Sequence, residues 1–470
     1  MATSALTVTG LADLLDRQAR ARPHAPALVV GAERVPLSYE ALDALADRMA
    51  ERIVGAGLSA GDVLGLVAGN TAEFVAALLG AGRVGVVAAP LDPGLSDAEL
   101  RFRVGELGAR AVLGADGIAG TDAAPHRRQE DALVLFTAGA TGRARMVPLT
   151  HTNVAASVHN VCATYALGPE DATVAVMPFF HGHGLFASLL STLASGGRVL
   201  LPAGGRFSAE TFWADLRAAG ASWFTAVPTI HEALLDRSSE AADLGGVGDL
   251  GDLGAPPPLR FVRSCGASLN AASQRALERM FGAPLLSAYG VTEAAHQIAS
   301  EPLPERGPLK HGTVGRATGV RLRVVDRDGR VCPAGVRGEV WVSGPSVAGD
   351  GWLRTGDLGS LDEDGYLSLA GRIESLIVRR GLTISPEYVE DVLAGCPSVA
   401  EAAVFAVGGE GIGAAVVVRG GECVEVGEVL RYSRERLAAA EVPDRVVFVS
   451  GLPRTAQGGL DRGAVRERYG

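Results

Sequence analysis

Residues 37–69, LSYEALDALADRMAERIVGAGLSAGDVLGLVAG, set two periodicities side by side. From Leu37 the apolar residues recur at helical spacing and stop at Gly57; from Asp62 the run DVLGLVAG has the unbroken apolar character of a strand covered on both faces. Residues 72–93, AEFVAALLGAGRVGVVAAPLDP, repeat the order, helix and then strand, and end in a proline turn. Helices alternating with such strands predict an α/β fold with largely parallel strands.

Working outward, VLFTAGATG (134–142), TVAVMPFF (173–180), GRVLLP (197–202), ASWFTAVP (221–228), LRFVRSCG (259–266) and PLLSAYG (284–290) each read as a strand ending in a turn. Ligands of open α/β sheets sit beyond the carboxyl ends of strands, so chemistry is expected in these loops. From Gly312 the pattern changes to short β segments with D-G and G-E turns, VRLRVVDRDGRVCPAGVRGEVWVSGP (320–345), which predicts a β-rich subdomain over about 312–371. Residues 372–470 then combine strands (AAVFAVGG, GAAVVVRGG) with helices (PEYVEDVLAGC, VGEVLRYSRERLAAA). The expected organisation is a large N-terminal domain of layered α/β sheets over 1–371 and a small, mobile α+β domain over 372–470. ADLGGVGDLGDLGAPPP (242–258) reads as a surface loop.

Composition excludes several function classes. A net charge of −10 argues against nucleic acid and anionic membranes as partners, because phosphate contacts need clustered Lys and Arg. The start, MATSALTVTGLADLLDRQARARP, lacks a basic region followed by an apolar run, and no apolar stretch reaches the ~20 residues that span a bilayer. The cysteines at 162, 265, 332, 396 and 423 are scattered and contain no C-x-x-C, so neither a disulfide framework nor a zinc site is expected. These readings together predict a cytoplasmic protein. Of 43 basic residues only Lys310 is lysine, a bias that puts Arg where Lys is commoner.

Five stretches carry candidate chemistry. LFTAGATGRARMVPLTHTN (135–153) is a Gly/Thr loop after an apolar strand, suited to cradling phosphates through freed N–H groups and hydroxyls. It is not a Walker A loop, which needs a lysine. HGHGLFA (181–187) matches G-x-G-x-x-A, but the acid expected about twenty residues on is missing from RVLLPAGGRF (198–207), which argues against dinucleotide binding. SCGASL (264–269) and SAYGVTE (287–293) close strands; Tyr289 offers a stacking face, Gly290 close backbone approach, Thr292 a hydroxyl and Glu293 a carboxylate for Mg²⁺. RTGDLG (354–359) puts Asp357 in a tight turn suited to ribose hydroxyls.

In order and spacing, YGVTE, TGD, GR…GLTISPEYVE and PRTAQG resemble the adenylate-forming superfamily of acyl-CoA synthetases, luciferases and adenylation domains. GRFSAETFWADL (205–216), WFTAVPTIHEALLDR (223–237) and MPFFHGHGLFASLL (177–190) are similar to oxalyl-CoA synthetase-like and other small-acid CoA ligases. The resemblance implies a two-step reaction: acid and ATP form an acyl-adenylate, the C-terminal domain swivels, and CoA attacks to give the thioester and AMP. It implies that Thr137, Gly139, Thr141, Gly142 and Arg145 form the phosphate loop, and that Gly266, Ala267, Tyr289 and Gly290 border the adenine. Thr292 is then expected at the α-phosphate, Glu293 at Mg²⁺, and Asp357 and Arg372 at the ribose. Glu374 falls at the hinge, and Arg380 and Gly381 at the CoA channel. His181, His183, Thr225, Val227, Pro228, Ser264, Cys265 and Val291 would line the acyl pocket, with His181, Thr292 and Glu293 nearest the chemistry.

The pattern breaks at two places. Ala138 and Ala140 replace hydroxyl residues of the phosphate loop, Ala144 replaces Pro, and Arg145 stands where Lys is usual. In PRTAQGGLDR (453–462), Gly459 occupies the position of the lysine that in the resembled family bridges the acid and the α-phosphate during adenylation. Loss of a preorganised cation of this kind slows a reaction by ~10²–10³. The expectation is therefore an acyl-CoA ligase specialised for the second half-reaction, using CoA and a preformed acyl-adenylate supplied by a partner adenylating ligase, as in natural-product pathways. The alternatives are a complete ATP- and Mg²⁺-dependent ligase in which Arg454, Arg462 or Lys310 covers for the lysine, and a non-catalytic relative that binds adenylate or CoA.

Overall fold

The computed structural model describes residues 8–124, 128–137, 144–243, 256–379, 382–408, 411–419, 424–454 and 460–470. The opening stretch forms the helix Tyr39–Gly55, started by Ser38, whose hydroxyl accepts from the Ala41 N–H at 3.1 Å, and the strand Val63–Val67. The repeat forms the helix Ala72–Arg83, capped by Thr71, and the strand Val87–Leu91. Every residue from Phe74 to Gly82 is buried, as befits a helix apolar all round that is enclosed between layers.

These strands belong to a six-stranded sheet in the order Gly117–Gly120, Ala109–Gly114, Val63–Val67, Val87–Leu91, Asp131–Thr137, Arg145–Thr150. Its four central strands are parallel and its two edges antiparallel. The parallel strands Pro26–Val30, Arg198–Leu201 and Ala172–Val174, with the antiparallel Val35–Ser38, make a second sheet. A third holds Trp223–Ala226, Phe261–Cys265 and Leu285–Tyr289 in parallel, continued antiparallel by Ala299–Ser300 and Arg316–Ala317. The alternation expected from sequence is present, distributed over three sheets.

The β-rich part is an antiparallel sheet of Arg321–Val325, Gly338–Ser343, Leu353–Leu361 and Leu367–Arg372. Beyond it the chain builds a separate apolar core from Ile377, Ile384, Val389, Leu393, Val399, Ile412 and Val429. That core lies between the sheet Val399–Val407, Gly411–Val418, Arg445–Val449 and the helices Pro386–Ala394 and Val426–Arg434. The helix Pro228–Asp243 enters the first residues of the expected loop 242–258, most of which lies outside the described residues. Among the described residues no helix is long and apolar enough to cross a membrane.

Candidate active site

The strand Leu285–Tyr289 delivers Tyr289 to a buried corner where its hydroxyl donates to Asp357 Oδ2 at 2.5 Å. Asp357 lies on Leu353–Leu361, in register with Arg372 on the neighbouring strand, and Arg372 Nε reaches both Asp357 Oδ1 (3.3 Å) and Glu374 Oε1 (3.4 Å). Four residues read separately from sequence are thus linked through side chains. Burial raises the Asp357 pKa above the usual carboxylate range, against the opposing pull of the Tyr289 hydroxyl and Arg372. Burial, reinforced by Asp357, drives the Tyr289 phenol well above its ordinary value, so it stays a donor. A carboxylate beside a guanidinium at this depth can accept from a vicinal diol.

Gly290 has no room for a side chain: a Cβ there would lie 1.4 Å from the His296 carbonyl oxygen. The chain from Val291 turns through Thr292–Ala294, and the His296 and Ile298 N–H groups return to Val291 O and Tyr289 O at 3.1 and 2.9 Å. Ala295 and His296 take positive φ of 48° and 86°, an unfavourable conformation for side-chain-bearing residues. Val291, Thr292 and Glu293 are half-buried on this turn. Among the described residues no group of three or more His, Cys, Asp or Glu forms a metal cage. A single accessible carboxylate fits Mg²⁺ that is shared with nucleotide phosphates, since Mg²⁺ keeps waters and takes few protein ligands.

Two of the residues expected in the acyl pocket meet directly, His183 Nε2 lying 2.6 Å from Thr225 Oγ1. Gly266, with φ 101°, faces Val227 (3.2 Å from an ideal Cβ to Val227 Cγ1), which joins the 225–228 and 264–269 loops; Ala267 follows on the same loop. Pro228 opens its helix, and Ser264 and Cys265 are buried at the strand end, Ser264 Oγ without a hydrogen-bond partner among the described residues. His181 packs against Phe180 at 4.6 Å, and burial lowers its pKa, countered by Asp92. His183 begins a fully buried π-helical segment, His183–Leu190, in place of an ordinary helix; such segments are frequent at functional sites.

Arg263, absent from the sequence-derived set, bonds to both His183 and Thr225. It sits in register with Thr225 on the adjacent strand and is fully buried. Its guanidinium meets Tyr165 Oη (2.8 Å), Thr225 Oγ1 (3.0 Å), His183 Nε2 (3.0 Å), His296 Nε2 (2.9 Å) and Gln297 Oε1 (3.2 Å). His296, Gln297 and Tyr165 were also missed. The available signal was an arginine in the apolar strand LRFVRSC, a position where an unpaired charge is unfavourable unless it is used.

The remaining expected residues bracket gaps. Thr137 and the exposed Arg145 pair across the base of the expected phosphate loop, whose Gly139, Thr141 and Gly142 lie outside the described residues. Arg380 and Gly381 also lie outside, between the paired residues Arg379 and Leu382. Gly459 lies outside too, and its loop is closed by a bridge between Arg454 and Leu460 and by the Asp461 N–H to Pro453 O (3.0 Å). The three cations weighed as substitutes for a lysine are paired with carboxylates. Arg454 pairs with Glu401, and Lys310 with Asp362 (2.5 Å) and Asp364 (2.7 Å). Arg462 pairs with Glu390 (2.9 and 2.7 Å) and Glu387 (3.2 Å). Glu387 accepts from Ser375 Oγ at 2.6 Å, and that hydroxyl lies 3.1 Å from Arg372 O, so this ion pair reaches the segment around Glu374.

A profile described as AMP-binding enzyme matches residues 15–131 and 114–350, and one described as AMP-binding enzyme C-terminal domain matches 388–458. The chain is 38% identical over 521 residues to a probable CoA ligase, CCL9, of Humulus lupulus, covering 99% of this chain and 97% of the relative. It is 37% identical to an oxalate–CoA ligase of Arabidopsis thaliana, covering 98% of each. Among solved structures, ATP-bound MatB from Rhodopseudomonas palustris superimposes with a TM-score of 0.84 at 28% identity, over 97% of this chain and 99% of that one. The large α/β region followed by a smaller α+β unit, the linked Tyr289–Asp357–Arg372 corner and these full-length similarities lead to one statement: the chain belongs to the AMP-binding enzyme family, in its acyl-CoA ligase branch.

Proposed function

We propose that the protein is an acyl-CoA ligase that retains thioester formation and has lost efficient adenylation: it takes a preformed acyl-adenylate and CoA to acyl-CoA and AMP. The observation that carries this reading is the pairing of Arg454, Arg462 and Lys310 with carboxylates, while position 459 is glycine. Arg462 is the most firmly held of the three: it could bridge an incoming carboxylate and phosphate only by leaving the enclosed Glu390 without its bidentate partner.

In this assignment Asp357 and Arg372 hold the ribose, Gly266, Ala267, Tyr289 and Gly290 border the adenine, and Thr292 donates to the α-phosphate. Glu293 would hold Mg²⁺ where a nucleotide brings it, and Mg²⁺ there would neutralise phosphate charge. His181 sits at the mouth of the acyl pocket, and Arg380 and Gly381 admit the pantetheine arm. The adenylate is already activated, so the protein's work is to exclude water, align the thiol and stabilise the oxyanion of the tetrahedral intermediate. We place the domain boundary at 371/372, with Glu374 as the pivot. A partner ligase supplies the adenylate.

The deciding experiment offers the protein acid plus ATP, or synthetic acyl-adenylate, each with CoA, and measures acyl-CoA and pyrophosphate. Thioester from the adenylate with little acid-dependent pyrophosphate is expected. Ordinary ligase rates from acid plus ATP would refute the loss of adenylation and favour the second reading, a complete ligase, which the similarity to named CoA ligases supports. Tight adenylate binding without any thioester would leave a non-catalytic binder.

A further inference from the structure

Glu387 stands second in the helix Pro386–Ala394, yet its carboxylate reaches back to both sides of the pivot at Glu374. Its Oε1 accepts from the Ser375 hydroxyl at 2.6 Å and pairs with Arg462 at 3.2 Å, and its Oε2 accepts from Ser385 Oγ at 3.2 Å. Ser375 follows the pivot. Ahead of it Gly371, at φ 106°, runs so near that a Cβ there would overlap Ser385 Oγ and lie 2.5 Å from Glu387 Oε2. The next residue of the helix makes a second crossing, the Tyr388 ring lying 4.6 Å from the guanidinium carbon of Arg337. One helix of the small C-terminal unit is thereby fastened to the end of the strand Leu367–Arg372 and to the segment that leaves it.

This fastening can open without leaving a donor unpaired. The Ser375 hydroxyl has one proton and two acceptors in reach, Glu387 Oε1 at 2.6 Å and the Arg372 carbonyl at 3.1 Å. The nearer, charged carboxylate takes the proton in this structure. Should Glu387 withdraw, the same hydroxyl turns to Arg372 O. Arg372 in turn holds Asp357 and Glu374 through its Nε, so the expected ribose site and the fastening share one residue. Arg462 is gripped more closely by Glu390 (2.9 and 2.7 Å) than by Glu387, so the last helix keeps its anchor when Glu387 lets go.

The orientation so fastened suits one half-reaction. Arg454, at the base of the loop that carries position 459, acts electrostatically on Glu232, which lies one turn into the helix that opens at Pro228. Val378 and Leu382, on either side of Arg380 and Gly381 in the chain, are 66% and 56% exposed. The base of the 459 loop thus lies beside the helix of the expected acyl pocket, while the residues that flank the expected CoA channel stand in solvent. We propose that Glu387 is a positioning residue: it holds the small unit in the orientation of the first half-reaction, and its release from Ser375 and Gly371 is the step that lets the unit turn towards thioester formation. The inference rests on the acyl-CoA ligase reading and on the pivot at Glu374, and assigns the side chain that governs the turn. CoA binding must then break this contact, so the contact lowers CoA affinity.

The test uses the full chain with AMP present and titrates CoA by calorimetry. Ser375→Ala and Glu387→Ala remove the contact from either end. Each should bind CoA about 5- to 10-fold more tightly than the unmodified chain, since apparent affinity scales with the share of molecules in the competent orientation. Structural damage would weaken binding or leave it alone, so a gain separates the two. Glu387→Gln keeps an acceptor for Ser375 and should fall between. CoA affinity that is unchanged or weaker in both alanine variants overturns the proposal. A chain that binds no CoA in any form sinks the ligase reading by itself, and hydrogen exchange then judges the contact. Amides of 373–379 should exchange about 10-fold faster in both alanine variants, with the strands Val399–Val407 and Gly411–Val418 unchanged. No change at 373–379, or faster exchange throughout those strands, overturns it.

Discussion

Tyr289→Phe removes one hydroxyl and leaves the ring in place. The hydroxyl donates a 2.5 Å hydrogen bond to Asp357, and both residues are less than a tenth exposed, so water screens the contact little. A hydrogen bond to a charged group contributes about 1.5–3 kcal/mol, and one pKa unit corresponds to about 1.4 kcal/mol. Asp357 already has its pKa raised by burial, with the Tyr289 hydroxyl pulling the other way. Removing that opposing influence should raise it further. The sign is definite: Asp357 must be ionised to accept ribose hydroxyls, so adenylate affinity falls as pH drops through its folded pKa, and the fall begins at higher pH in the variant. Calorimetric titration of an acyl-sulfamoyl adenosine across pH 4–8, roughly the interval from the ordinary carboxylate range upward, reads the midpoint directly. A midpoint that stays put or moves down would refute the assigned role of the Tyr289–Asp357 contact.

Gly459→Lys should raise acid-dependent pyrophosphate release by ~10²–10³ and leave thioester formation from adenylate nearly unchanged, measured in parallel coupled assays. Little effect on either would favour the complete-ligase reading. Arg462→Ala strips Glu390 of its bidentate partner while that carboxylate, its pKa already raised by burial, remains enclosed. The loss should be about 1–3 kcal/mol at neutral pH and smaller in acid, where a protonated Glu390 no longer needs the cation; thermal melts at the two pH values compare them. Gly290→Ala puts a methyl group into the His296 carbonyl and should displace the 291–297 turn, giving a lower melting temperature and loss of adenylate binding; an unchanged Kd would contradict the packing.

The parts of the site legible in sequence are those where backbone chemistry is local. Strand-then-turn punctuation located the strand ends at 225–228, 264–269 and 287–293, whereas the tight turn expected around Asp357 is instead the interior of the irregular strand Leu353–Leu361, with Gly356 at φ 74°. Arg263 and His296 were illegible as site residues. One reads as a stray charge in an apolar strand and the other as a polar residue in AAHQ; their meaning lies in meeting each other, strand to turn, across a chain separation that carries no periodic signal.

The sequence alone determines the alternation of helix and strand, because apolar spacing decides which backbone can bury it, and it determines the glycine at 459, a covalent fact no folding alters. The division of the strands among three sheets, the pairing of Arg454, Arg462 and Lys310 with carboxylates, and the gathering of two histidines on one buried guanidinium come from packing. Each depends on residues distant in the chain entering the same few ångströms, where burial sets the charge and proton position of every group present.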